Sequence, residues 1–332
     1  MSIRQKDHVK VAVIQSASVF MERQACLEKA CRLIAEASQA GAELILFPET
    51  YISGYPRGLM FGTYVGGRSM EGRKDWTRYW KSAVSVPDEC TQQLAEAAAS
   101  AKVYVIMGVV ERDENGNHGT LHNSMLYFSP DGLLVGRHRK LIPTAAERLV
   151  WGQGDGSTLT AIDTPYGAVG GLICWENYMP LARMTMYMKG VNIYLAPTAD
   201  ARDTWQNTIR HIACEGRCFV LGCNQYFHKD MYPTDLACYA ELEQQPDEMC
   251  VGGSAIVDPF GNYLAGPLYG KEDILYADLD LNQIDYGHYD FDVVGHYNRS
   301  DVFRLVVNEC ANIPVEFQQD EATNRDMAKK GE

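Results

Sequence analysis

Short apolar runs alternate along the chain with longer segments of helical period, and the same order recurs in the two halves. Residues 9–14 read as a buried strand, and 22–38 as a helix with Cys26, Ala30, Leu33, Ile34 and Ala37 on one face. A second strand over 43–47 ends in Pro48 and Glu49. A helix over 88–101 turns Leu94 and several alanines inward and leads into a strand over 103–110. An Asn-Gly turn at 115–116 follows, then a strand over 123–128, a Pro-Asp-Gly turn at 130–132 and a short strand over 133–136. In the second half, the pattern predicts a strand over 168–174 ending at Cys174, a helix over 181–189, and a strand over 191–196 closed by Pro197. A helix over 203–216, a strand over 219–222 and a hairpin over 254–265 complete the order.

Two pairs of segments look alike. Glu-Leu-Ile-Leu-Phe-Pro (43–48) parallels Asn-Ile-Tyr-Leu-Ala-Pro (192–197), and Asn-Ser-Met-Leu-Tyr-Phe-Ser-Pro-Asp-Gly (123–132) parallels Gly-Ser-Ala-Ile-Val-Asp-Pro-Phe-Gly (253–261). The offsets differ between pairs, so this is not a solenoid period. The expectation is two similar α+β halves whose sheets face each other with helices outside. No Pro/Gly/Ser-rich linker separates them, which predicts one domain over 1–317. Residues 318–332 are polar, lack an apolar face and are expected to form a disordered tail.

Composition narrows the function classes. The chain has 332 residues, 46% hydrophobic and 22% charged, enough for a core that needs no disulfide or metal staple. A net charge of −13 disfavours nucleic acid and anionic membrane as partners, because both are polyanions, and suits a near-neutral small substrate. The start, Met-Ser-Ile-Arg-Gln-Lys-Asp-His, lacks the apolar core of a signal peptide, and no apolar run approaches the ~20 residues needed to cross a bilayer. Ten cysteines in that context read as reduced thiols of a cytoplasmic protein. The nearest approach to a metal cluster, Cys214, Cys218 and Cys223, lacks paired C-x-x-C spacing and reads as core thiols.

Three segments carry chemistry. In Gly-Gly-Leu-Ile-Cys-Trp-Glu-Asn-Tyr-Met-Pro (170–180), a thiol stands where an apolar run gives way to polar residues, within reach of a substrate. A free thiol with a pKa near ~8.5 is a poor nucleophile at neutral pH and needs a base or a cation. Glu49, leaving a buried strand behind a rigid proline, can be that base, since partial desolvation raises a carboxyl. Lys140, in Gly-Arg-His-Arg-Lys-Leu-Ile-Pro (136–143), can stabilise a thiolate and then the charge that develops on attack. Backbone N–H groups after Cys174 can add donors. Each feature alone has a plainer reading: an inert core thiol, a solvated loop charge, a surface lysine.

The combination resembles the nitrilases, a branch of the carbon–nitrogen hydrolase superfamily. The resemblance rests on Phe-Pro-Glu-Thr-Tyr-Ile-Ser-Gly-Tyr-Pro (47–56), His-Arg-Lys-Leu-Ile-Pro-Thr-Ala-Ala-Glu-Arg (138–148), Trp-Gly-Gln-Gly-Asp-Gly-Ser (151–157) and Cys-Trp-Glu-Asn (174–177). It extends from 9 to about 308, and Cys-Trp-Glu-Asn with Gly-Tyr-Pro-Arg-Gly is most similar to plant and related bacterial nitrilases. The resemblance implies a four-layer α-β-β-α sandwich with internal pseudo-two-fold symmetry and no metal or organic cofactor. It makes Cys174 the nucleophile, Glu49 the general base, Lys140 the charge-stabilising lysine and Glu147 a second glutamate that positions lysine and substrate. Tyr55, Trp151, Trp175 and Pro197 become pocket walls, while Glu176 and Asn177 brace the turn after the nucleophile. Homo-oligomers are implied too, dimers that extend into spiral filaments.

The implied reaction converts an organic nitrile to a carboxylic acid and ammonia through a cysteine thioimidate and a thioester, with amide as a possible by-product. The aromatic walls suit arylacetonitriles or other small aromatic and aliphatic nitriles. Three alternatives stay open on the residues alone: an amidase or carbamoyl-amide hydrolase of the same superfamily, a cyanide-degrading enzyme, and a non-catalytic filament-forming protein.

Overall fold

The computed structural model describes residues 4–113, 119–313 and 315. The expected Asn-Gly turn at 115–116 and the tail 318–332 lie outside them. The chain opens with β1 (His8–Gln15), α1 (Arg23–Gln39) and β2 (Leu44–Leu46), followed by a small ribbon, β3 (Thr63–Tyr64) with β4 (Gly67–Arg68). Next come α2 (Met70–Ser82), α3 (Glu89–Ala101), β5 (Tyr104–Arg112), β6 (Leu121–Phe128) and β7 (Leu134–Arg139). The second half holds β8 (Ala161–Thr164), β9 (Gly167–Gly171), α4 (Pro180–Met188), β10 (Val191–Pro197), α5 (Asp203–Gly216), β11 (Phe219–Cys223) and β12 (Tyr226–His228). It closes with β13 (Glu248–Val257), β14 (Tyr263–Tyr269), β15 (Asp273–Asp280) and α6 (Asn282–Asp290).

The internal two-fold is visible in strand direction. β1, β2 and β5 run parallel, with β6 and then β7 antiparallel beyond them. β9, β10 and β11 likewise run parallel, with β13 and then β14 antiparallel beyond them. Each set gains an antiparallel edge: β15 on β1, and β8 on β9. α1 and α4 connect the first parallel pair in each half, and α3 and α5 lie between the second.

Period-two alternation sorts the core into three layers of side chains. Val9, Val11, Val13, Leu44, Leu46 and Ile106 meet Val169, Ile193, Leu195, Phe219 and Leu221 between the two sheets. The opposite faces of the same strands (Ala12, Ile14, Ile45, Val105 and Met107) pack on Ala30, Ile34, Leu94 and Ala98 of α1 and α3. In the second half Tyr194, Ala196 and Val220 pack on Met186, Ile209 and Ala213 of α4 and α5. The order is therefore helix, sheet, sheet, helix, as expected. Among the described residues no helix is long and apolar enough to cross a membrane.

Several elements escape the apolar pattern. α2 buries only Gly72, Asp75, Tyr79 and Ser82, so no aliphatic stripe marks it; Ser69 caps it by accepting from Gly72 N. β8, β12, β15 and α6 are also unforeseen, β15 because its partner β1 lies at the opposite end of the fold's sequence. The strand expected over 168–174 stops at Gly171, and Cys174 instead starts a 3-10 turn, Cys174–Tyr178.

Candidate active site

Each chemical side chain is aimed by a departure from regular structure. Beyond β2 the chain keeps pairing with β5 through Phe47 N to Ile106 O, 2.9 Å, and then turns away at Pro48 and Glu49. Gly108 makes this possible: a Cβ there would lie 2.0 Å from Pro48 O and 2.7 Å from Thr50 N. The carbonyl of Glu49 accepts from Gln225 Nε2 at 3.0 Å. Lys140 leaves β7 with its own N–H bonded to Asn123 O at 2.8 Å, and its side chain is almost wholly buried. Glu147 lies in a 3-10 turn, Ala145–Leu149, and accepts from Thr144 N at 2.7 Å.

Cys174 takes a φ of 53°, in the left-handed region that ordinary side chains avoid. A network holds it there. Asn177 Nδ2 donates to Leu172 O at 2.9 Å and to Cys174 O at 2.8 Å, while Asn177 Oδ1 accepts from Tyr194 OH at 2.8 Å. Buried Glu176 accepts from Ile173 N at 2.7 Å and from Leu141 N, and meets His138 Nε2 at 3.0 Å. Glu176 thus ties the cysteine turn to the segment that carries Lys140. Burial would lower the pKa of His138, but the Glu176 charge and hydrogen bond outweigh it and raise it.

Lys140 Nζ donates to Glu49 Oε1 and Glu147 Oε2, both at 2.8 Å. Glu49 Oε1 also accepts from Asn123 Nδ2 at 2.6 Å, whereas Glu49 Oε2 is buried and without a partner among the described residues. Glu147 Oε1 accepts from Tyr55 OH at 2.6 Å, and Thr198 Oγ1 donates to Cys174 Sγ at 3.1 Å. The structure therefore gathers Glu49, Lys140, Glu147 and Tyr55 into one hydrogen-bonded line, with Cys174 inside its electrostatic field. Burial pushes the Cys174 thiol up to about 12, Glu49 adds to the rise, and Lys140 opposes it. Burial also raises the Glu49 carboxyl against the pull of Lys140. Burial would lower Lys140, but Glu49, Cys174 and Glu147 outweigh it, so the ammonium form is strongly favoured. Burial thus favours the protonated thiol at rest, beside a Lys140 ammonium that bridges the Glu49 and Glu147 side chains.

A cavity of about 350 Å³ opens onto Cys174 and is lined by Tyr55, Arg57, Glu147, Trp175 and Ala199 among others. Trp175 is 39% exposed at its mouth, with Nε1 donating to Asp200 at 2.8 Å and Arg202 over its ring at 4.8 Å. Trp151 and Pro197 do not line this cavity. Trp151 is buried edge-on to Tyr55, ring centroids 5.5 Å apart, and Pro197 is buried at the end of β10. The residue after Pro197, Thr198, makes the contact with the thiol. Thr198 and Asn123 were missed by sequence reasoning. Thr198 lies in the run Ala-Pro-Thr-Ala-Asp (196–200), and only the fold brings its hydroxyl to a thiol 24 positions earlier. Among the described residues no group of three or more His, Cys, Asp or Glu is placed to hold a metal ion.

The geometry fits a thiol hydrolase of carbon–nitrogen bonds, and comparison with known proteins gives the same class. Residues 10–288 match the carbon–nitrogen hydrolase family model, so the chain belongs to that family. It is 51% identical over 301 residues to an aliphatic nitrilase of Sinorhizobium fredii (strain HH103), covering 90% of this chain and 96% of that one. It is 47% identical over 312 residues to a bifunctional nitrilase/nitrile hydratase of Nicotiana tabacum, covering 93% and 88%. These relatives place it with the nitrilase branch. The fold matches the crystal structure of a carbon–nitrogen hydrolase from Helicobacter pylori G27 with a TM-score of 0.68, at 21% identity over 90% of this chain and all of that one (100%).

Proposed function

We propose that the chain is a nitrilase, converting an organic nitrile and two waters to a carboxylic acid and ammonia, with Cys174 as nucleophile. The observation that carries the mechanism is the inequality of the two Glu49 oxygens. Lys140 and Asn123 occupy Oε1, and Oε2 is left to accept a proton. Because the thiol rests protonated, Glu49 takes its proton as Cys174 attacks the nitrile carbon, and the proton passes to the nitrogen to give a thioimidate. Water then adds, again deprotonated by Glu49, to form a tetrahedral intermediate. Lys140 has three N–H groups and spends two on carboxylates, so the third can meet the charge that develops there. Backbone N–H groups after Cys174 add donors. Loss of ammonia, protonated by Glu49, leaves a thioester, and a second water releases the acid and restores the thiol. Should the thiol leave the tetrahedral intermediate first, the product is the amide.

A nitrile panel compared with the matching amides tests this reading. Nitriles should be turned over with ammonia and acid released, and the amides should be much poorer substrates. Exclusive amide turnover would reassign the enzyme to the amidases, and formate or formamide from cyanide alone would reassign it to the cyanide-degrading enzymes.

The enzyme is further proposed to work as a homo-oligomer. Leu181 and Met188 of α4 and Phe303 and Val306 of the segment after α6 are exposed, and a groove of about 860 Å³ runs between α4 and that segment. Exposed apolar side chains gathered on one face mark a candidate surface for association. Ten free thiols suit a reducing compartment, which supports a cytoplasmic location.

A further inference from the structure

Cys174 is held in its left-handed conformation by Asn177, and Asn177 is itself held from outside the turn. Its side chain is spent on Leu172 O, Cys174 O and the Tyr194 hydroxyl. Its carbonyl has a different partner. Were the 3-10 turn to continue, the N–H three residues on would bond to that carbonyl, but this residue is Pro180, which opens α4 and has no N–H. Arg183 Nη1 supplies the missing donor at 2.7 Å.

The guanidinium is fixed at its other edge by α5. Arg183 Nε donates to Glu215 Oε2 at 2.7 Å and Nη2 to Glu215 Oε1 at 3.2 Å, while Tyr187 OH donates to the same Oε2 at 2.7 Å. Arg183 is buried, and a guanidinium taken out of water needs its charge matched. The planar fork therefore faces two ways, with a carboxylate on one edge and the Asn177 carbonyl beyond the other. Neither Arg183 nor Glu215 is among the residues that line the cavity at Cys174.

We propose that the Arg183–Glu215 ion pair positions the nucleophile. α5 fixes the guanidinium, the guanidinium fixes Asn177, and Asn177 keeps Cys174 in the conformation that presents Sγ to Thr198 and to the substrate. Arg183 and Glu215 are positioning residues, acting through Asn177 and touching no reacting atom. This rests on the reading of Cys174 as the nucleophile of a nitrilase. Glu176 ties the same turn to the Lys140 segment, so Cys174 stands between two braces, one toward its lysine and one toward the outer helices.

The test measures ammonia release well below the melting transition from butyronitrile, benzonitrile, phenylacetonitrile and 3-cyanopropanoate, and carries forward the nitrile that wild type turns over fastest. Arg183→Met should lower its kcat/KM roughly 100-fold, the cost of misplacing a reacting atom by about an ångström. Arg183→Lys should recover part of the loss, having the charge without the fork. Glu215→Gln, which keeps the shape of the carboxylate without its charge, should cost roughly tenfold. Binding separates positioning from a general loosening. In a Cys174→Ala background, the dissociation constant of the same nitrile, read by ligand-observed NMR, should change less than about twofold when Arg183→Met is added. A kcat/KM within about threefold of wild type in folded Arg183→Met overturns the proposal, as does a binding loss that matches the loss of turnover. Glu215→Gln is judged by the same two limits where Arg183→Met does not fold. Either failure leaves the nitrilase reading intact. Absence of ammonia from every nitrile with wild type overturns the nitrilase reading itself, and this proposal with it.

Discussion

The two oxygens of Glu49 divide the work of one carboxylate, Oε1 holding Lys140 and Oε2 receiving protons. Burial raises the Cys174 thiol most, and the negative charge of Glu49 adds to the rise. Two opposite effects of Glu49→Gln follow. Turnover should be nearly lost, while alkylation of Cys174 by iodoacetamide should accelerate, because the thiol is lowered once the Glu49 charge is gone. Slower alkylation would mean that Glu49 already deprotonates the resting thiol. Because the Glu49 carboxyl is raised, it takes up a proton at a higher pH than an exposed glutamate does. The acid limb of kcat/KM should therefore lie above the ordinary glutamate value of about 4.3. A limb at or below that value would contradict the role. Thr198→Val removes the one hydroxyl that donates to Sγ and should cost roughly tenfold in kcat/KM, about one net hydrogen bond.

At the scale of elements, two irregular turns decide where the chemistry sits. Gly108 lets the Glu49 turn lie against β5, so Gly108→Ala must displace Pro48–Thr50 or β5. It should reduce kcat/KM by roughly 100-fold while Cys174 remains titratable, because misplacing a base by an ångström is enough. Undiminished activity would show that the close approach does not set the Glu49 position. Glu176 joins the cysteine turn to the lysine segment, and Glu176→Ala leaves the N–H groups of Ile173 and Leu141 and the His138 ring without their acceptor. Unfolding free energy should fall by about 3–5 kcal/mol in denaturant titration. The raised His138 pKa has a definite sign. Its contribution to stability is complete below the ordinary histidine value and is lost as pH rises through the folded one. A His138→Gln variant should therefore lose that part of the alkaline decline in stability.

Across the whole molecule, two facing sheets with helices outside were legible because the second half repeats the strand and helix order of the first, and the family resemblance implied the four layers. α2 was not, since a helix that buries a glycine, an aspartate, a tyrosine and a serine leaves no apolar period. Cys174, Glu49, Lys140 and Glu147 stood out by motif, yet the pieces that orient them did not. Asn123 lies 74 positions from the carboxylate it holds, and its bond exists only because β6 pairs with β5. Trp151 and Pro197 show the reverse case: being near the site in sequence put them behind the cavity wall, not on it. The exposed apolar face of α4 and the 303–306 segment is argued at this scale as well. Leu181→Glu with Phe303→Glu should reduce the mass seen by light scattering, and an unchanged mass would place assembly on another surface.

All of this depends on Cys174 forming the covalent bond. Ammonia release from a hydrolysable nitrile by Cys174→Ala, with the fold checked by thermal melting, tests that most directly. The account predicts release at background with the melting transition preserved. Release within tenfold of wild type would contradict it, and would leave the buried thiol as one more core cysteine.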